Sequence, residues 1–126
     1  MAVLTRGRDP VQRDSKTIAF TGAANLGAVG AVPIFTVTGE VIILYLVPFC
    51  TEDLVSAGAG TLSLGVTGSV ALFIAATTAT AIDINEFWVD TTPDANGIAV
   101  ASSLVDVAIT DNIIGDVLVG AITDGT

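Results

Sequence analysis

After Lys16 this chain contains no lysine, arginine or histidine. Its four basic residues, Arg6, Arg8, Arg13 and Lys16, share the first sixteen positions with Asp9 and Asp14, and the other eleven of its thirteen acidic residues fall in 17–126. A body of that kind has no salt bridge of its own to use. Whatever it folds into is held by buried apolar faces and by backbone hydrogen bonds. The leader is polar, contains Asp9-Pro10 and shows no period of 2 or 3.6, so residues 1–16 are expected to be an extended arm that orders on docking.

From Thr17 onward the texture is Val, Ile, Thr and Phe in short runs broken by glycine, which is the pattern of strands bounded by turns. The expected strands are 17–21, 31–38, 41–49, 61–66, 70–77, 86–90, 97–101, 104–110 and 113–119. Gly39-Glu40 is expected to close a hairpin between 31–38 and 41–49, and Thr67-Gly68-Ser69 another between 61–66 and 70–77. Asn96-Gly97 is a turn pair because both central positions tolerate positive φ, and Asp111-Asn112 turns 104–110 into 113–119. The runs IILYLV and ALFIAA are apolar on both faces, as in strands covered from both sides. Residues 70–82 are rich enough in alanine for a helix, but Thr77, Thr78, Thr80 and the flanking glycines favour strand.

Nine short runs at near-regular spacing indicate an all-β fold, an antiparallel β-sandwich of jelly-roll-like form over 17–126, preceded by the extended N-terminal arm. Apolar residues are 52% of the chain and charged residues 13%, with a mean hydropathy of +0.79. That surplus predicts exposed apolar surface and therefore a homo-oligomer or assembly subunit. The Asp124-Gly125 turn pair is followed by Thr126 alone. Either another subunit completes that edge or the natural chain continues.

Several function classes lose their chemistry here. A net charge of −9 argues against nucleic acid as a partner of the body. The apolar run 41–50 is half the length of a membrane-spanning helix, and 17–39 carries Gly22, Asn25, Gly27, Gly30 and Pro33, so no membrane partner is expected. Cys50 is alone, which excludes an intrachain disulfide and suits synthesis in a reducing compartment. Without histidine there is no Ser-His-Asp or Cys-His pair and no imidazole metal site. Glu52 and Asp53 beside Cys50 would raise its thiol pKa and blunt its reactivity.

Gly22 and Gly27 are spaced like a phosphate loop, but Ala28 and Val29 stand where the lysine and hydroxyl residue belong. Gly58 and Gly60 begin a dinucleotide fingerprint that Ser63 breaks. Asp83, Asn85 and Glu86 begin like a calcium loop, yet Phe87 and Trp88 occupy the next ligand and glycine positions, leaving only a looser interfacial calcium site open. Paired carboxylates for glycoside chemistry lack an aromatic platform, since Tyr45, Trp88 and the phenylalanines are scattered. No enzyme activity and no cofactor are expected.

The leader, the stretch TVTGEVIILYLVPFCTEDL (36–54) and the block TATAIDINEFWVDTTPDA (78–95) together resemble a family of small virion proteins encoded beside the capsid genes of tailed bacteriophages. The resembling pattern is a TVTG turn, a strand ending in C-T-x-D-L, a threonine-alanine run, and then ID-x-NE-x-W-x-D-x-TPD, most clearly within 31–95. The resemblance implies a head-decoration (cement) protein or related head-surface protein with a β-sandwich body and no catalytic residues. It places the chain on the outer capsid surface of the virion after synthesis in the bacterial host cytoplasm. Family members run past a segment like DVLVGAITDGT (116–126) into one more strand. The expected partners are the major capsid protein and further copies of the chain, as homotrimer or homodimer. Arg6, Arg8, Arg13 and Lys16 are the expected docking residues of the arm, pairing with acidic patches on the shell or on a neighbouring subunit. The alternatives are a tail- or fibre-associated β-module that binds a receptor or glycan, and a lectin-like jelly roll.

Overall fold

Three of the expected runs form strands within one residue of their sequence limits. In the computed structural model, which describes residues 11–93 and 107–124, these are Thr61–Val66 (β4), Ser69–Thr78 (β5) and Ile113–Val119 (β7). Each is a run of β-branched or apolar residues, and the first two are joined through Thr67 and Gly68 with Val66 paired to Ser69. With Gly30–Phe35 (β1) they form a four-stranded antiparallel sheet in the order β1-β7-β4-β5. Pro33 within β1 fits its place at one end of that order, because proline has no N–H to give a second neighbour. Central β4 is buried from Leu62 to Val66.

The hairpin expected at Gly39-Glu40 does not form. Gly39 does adopt the left-handed φ of 73° that a turn residue needs. The chain then bends instead of reversing: β1 pairs with β7, while Val41–Ile43 (β2) pairs with Val107–Ile109 (β6). The turn at Asp111-Asn112 likewise joins β6 and β7 without pairing them. The two corrections have one cause. Residues 30–43 and 107–119 lie side by side as a single long antiparallel ribbon, and its register slips where Phe35 meets Ile113 and Val41 meets Ile109. At the buckle the Val37 N–H donates to Asn112 Oδ1 at 2.9 Å, and the Thr67 N–H donates to the Asn112 carbonyl at 3.1 Å. A bent ribbon of this kind carries a strand from one sheet to another.

Leu54–Val55 (β3) and Thr123–Asp124 (β8) make a third small antiparallel sheet. On its other side β8 meets Thr21 in a single bridge, and the Asp124 N–H donates to the Phe20 carbonyl. Thr123 and Asp124 thus have partners on both sides within the chain. That bridge is all that forms of the expected strand 17–21. The expected strand 86–90 is likewise reduced to one bridge, Phe49 with Phe87, because Asn85 turns at φ 69° and Trp88 and Val89 are drawn into the core. The helical reading of 70–82 survives only as a 3-10 turn at Ala79–Ala81. The expected 97–101 strand, the Asn96-Gly97 turn and residues 104–106 of the next strand lie outside the described residues.

All three sheets feed one core, in which Val32, Leu64, Ile74 and Val117 of the large sheet meet Leu54, Ile109 and Ile122. The fold is all-β and antiparallel. Among the described residues no helix is long and apolar enough to cross a membrane.

Candidate interaction surface

Residues 48–54 and 82–88 come together in space. The Cys50 N–H donates to the Glu86 carbonyl at 2.9 Å, the Asn85 N–H to the Cys50 carbonyl at 2.8 Å, and the Trp88 N–H to the Pro48 carbonyl at 3.1 Å. Leu54 closes the pairing by donating to the Ile82 carbonyl at 3.3 Å. The Phe49 and Phe87 rings pack at a centroid distance of 4.8 Å. The unit is anchored below by Trp88, whose indole Nε1–H donates to Thr77 Oγ1 at 3.0 Å in the core.

Two acidic residues of these stretches hold turns. Asp53 Oδ1 accepts the Ile84 N–H at 2.6 Å, and Glu86 Oε1 accepts the Asp83 N–H at 2.9 Å. A carboxylate is well suited to this because it accepts but never donates. Among the described residues no group of three or more acidic or cysteine side chains is placed to hold a metal ion.

The Cys50 thiol, whose Sγ donates to the Glu52 carbonyl at 2.8 Å, has its pKa pushed up. Burial is the largest cause; a backbone hydrogen bond at Glu52 works the other way, and the charges of Asp53, Asp83 and Glu86 add to the rise. Glu52 therefore acts on the thiol through its backbone, while Asp83 and Glu86 arrive from the second stretch. The arrangement disfavours the thiolate and hence nucleophilic chemistry at Cys50.

The run before Cys50 departs from its expected burial. Val41, Ile43 and Leu46 turn inward and pack against the core, but Ile42, Leu44, Tyr45, Val47 and Phe49 point outward. Tyr45 is 76% exposed and Ile42 64%. The run IILYLV is thus covered on one face, not two, because β2 belongs to a two-stranded sheet with nothing stacked outside it among the described residues. In ALFIAA the neighbours Phe73 and Ile74 are both buried while Leu72 is exposed. Five outward apolar side chains within eight residues form a ridge whose far end is the Phe49–Phe87 pair. Reading an apolar run as fully buried missed this ridge; alternation from Val41 would have placed Ile42 and Leu44 outward but not Tyr45, which is exposed because the strand ends at Ile43.

Of the four expected docking residues, Arg13 and Lys16 are exposed, and among the described residues neither forms an ion pair. Arg6 and Arg8 lie outside the described residues. The neighbouring Gln12 side chain donates to Asp14 at 2.8 Å. No family model matches the chain, no curated protein is significantly similar in sequence, and no solved structure is significantly similar in fold.

Proposed function

We propose that this chain is a structural virion protein that decorates and stabilises the capsid of a tailed bacteriophage. The observation that carries the reading is the union of the two resembling stretches: residues 48–54 and 82–88, distant in sequence, pair into one unit anchored by Trp88. That the two stretches pair in space supports reading them together as one structural feature.

In this reading the bent ribbon is a corner of a jelly-roll-like sandwich. The acidic body is the outward cap, and the chain sits as a symmetric homo-oligomer on a symmetry axis of the shell. The basic arm reaches the major capsid protein or the next subunit. Each exposed ion pair there contributes only about 0–1 kcal/mol. Four on one arm, repeated over a lattice, gain from effective concentration.

Deleting residues 2–16 tests the arm. The truncated chain should keep its fold and self-association but lose binding to shells stripped of the protein. Intact-chain binding should weaken as salt rises, since its pairs are solvent-exposed. Unchanged decoration by the truncated chain would remove the arm from the account.

A further inference from the structure

The structure assigns the ridge of Ile42, Leu44, Tyr45, Val47 and Phe49 as the face on which a second copy of this chain packs. The inference deepens the oligomeric part of the proposed function and names its surface; it does not depend on docking to a shell.

Exposure selects this face, because no other eight-residue stretch among the described residues exposes as many large apolar side chains as 42–49, and charge permits it. Residues 17–126 hold eleven acidic residues and no cation, so two bodies repel wherever their carboxylates face each other. From Val41 to Thr51 there is no charged residue, with Glu40 before the stretch and Glu52 after it. A neutral apolar strip has no sign to match, so an identical strip complements it. β2 adds a backbone element: β6 pairs with one of its edges, and among the described residues no strand pairs with the other. A second copy can therefore lay side chains, and at β2 backbone, against the same features of the first, as a two-fold contact requires.

Area agrees with this occupant. The five side chains expose on the order of 400 Å² of apolar surface. A standard interface takes about 800 Å² from each partner, with an apolar centre and a polar rim. The ridge is the right size for that centre, and Glu40 and Glu52 fall in the rim. Rim carboxylates on both copies repel, so this contact should tighten as salt rises. Arm docking, which pairs opposite charges, should weaken under the same change.

The test is sedimentation equilibrium of the full chain at low and high salt, for the wild type and for I42T/Y45D. Ile42→Thr keeps a β-branched residue in β2, and Tyr45 is the most exposed member of the ridge. The wild type should self-associate more tightly at high salt, and the double variant should weaken association by about 100-fold or more, because each change acts on both copies. V29D serves as control: Val29 is 63% exposed, lies off the ridge in sequence, and should leave association unchanged. Circular dichroism and melting at monomeric concentration verify that the variants fold. If the pair proves too disruptive, Y45S alone should still weaken association. Amide exchange supplies the last arm. Residues 44–47, which lie between the β2–β6 pairing and the Phe49–Phe87 bridge, should exchange quickly at monomeric concentration and slowly at oligomeric concentration. A monomeric wild type, unchanged association in I42T/Y45D, or equal protection of 44–47 at both concentrations each overturns the assignment. Loss of shell binding in the arm-deleted chain with the ridge contact intact would leave this inference standing, and the reverse holds for the shell reading.

Discussion

Replacing Thr77 by valine isolates the hydrogen bond that ties the paired stretches to the large sheet. Thr77 and Trp88 are both buried, and Thr77 Oγ1 both accepts from the indole Nε1 at 3.0 Å and donates to the Ala75 carbonyl at 3.0 Å. Valine keeps the shape and the β-branch but accepts nothing. The indole N–H is then buried without a partner, which costs about 1–3 kcal/mol. The methyl that replaces the hydroxyl offsets part of this, on the order of 0.8 kcal/mol, leaving a net loss of about 1–2 kcal/mol. Urea unfolding at fixed protein concentration, followed by the single tryptophan, reads it directly. With a slope of about 1–3 kcal/mol per molar urea, the midpoint should fall by roughly 0.5–1 M while the slope stays unchanged. A W88F background removes the orphaned donor, so T77V should cost little there when followed by circular dichroism. Equal cost in both backgrounds, or a T77V midpoint at the wild-type value, would refute the reasoning.

Further expectations follow from the same geometry. A Cβ added at Gly65 would overlap the Ser69 carbonyl oxygen and the Val70 backbone, so G65A should destabilise by about 2–3 kcal/mol in thermal melts, with the β4–β5 register disturbed first. The raised Cys50 pKa means the folded chain holds the thiol proton more tightly than the unfolded one. Stability should therefore fall as pH rises from the unfolded thiol value of about 8.5 through the higher folded value, and C50A should remove that fall. Asp53→Asn keeps an acceptor for the Ile84 N–H while deleting one of the charges that raises the thiol, so alkylation of Cys50 at fixed pH should be faster in D53N. Asp53→Ala loses the acceptor as well and should cost about 1 kcal/mol in urea unfolding.

The parts of the fold legible in the sequence are those in which local signals and long-range pairing agree. At 61–66 and 70–77 two strand runs flank Thr67-Gly68-Ser69, and the nearest strand in sequence is also the partner in space. At 31–49 the signals conflict. Gly39 supplies a turn-like φ, but a longer stretch, 107–119, pairs with both 30–35 and 41–43, so the local turn becomes a bend. Burial was harder to read than strand position. An apolar run such as IILYLV reads as covered on both faces only if a second layer exists, and composition does not reveal which strands lie outside the stacked region. Nothing local marks Asp53 as the acceptor for the Ile84 N–H, because that use depends on the two stretches meeting, a contact of about thirty residues' separation.

The count of this protein in purified particles bears most directly on the central claim of capsid decoration. Quantitative mass spectrometry against the major capsid protein, read beside a particle map, gives both copy number and position. The account expects many copies in a fixed small-integer ratio to the major capsid protein, clustered at symmetry axes of the outer shell. A few copies confined to the tail or fibres, or none in the particle, would contradict it.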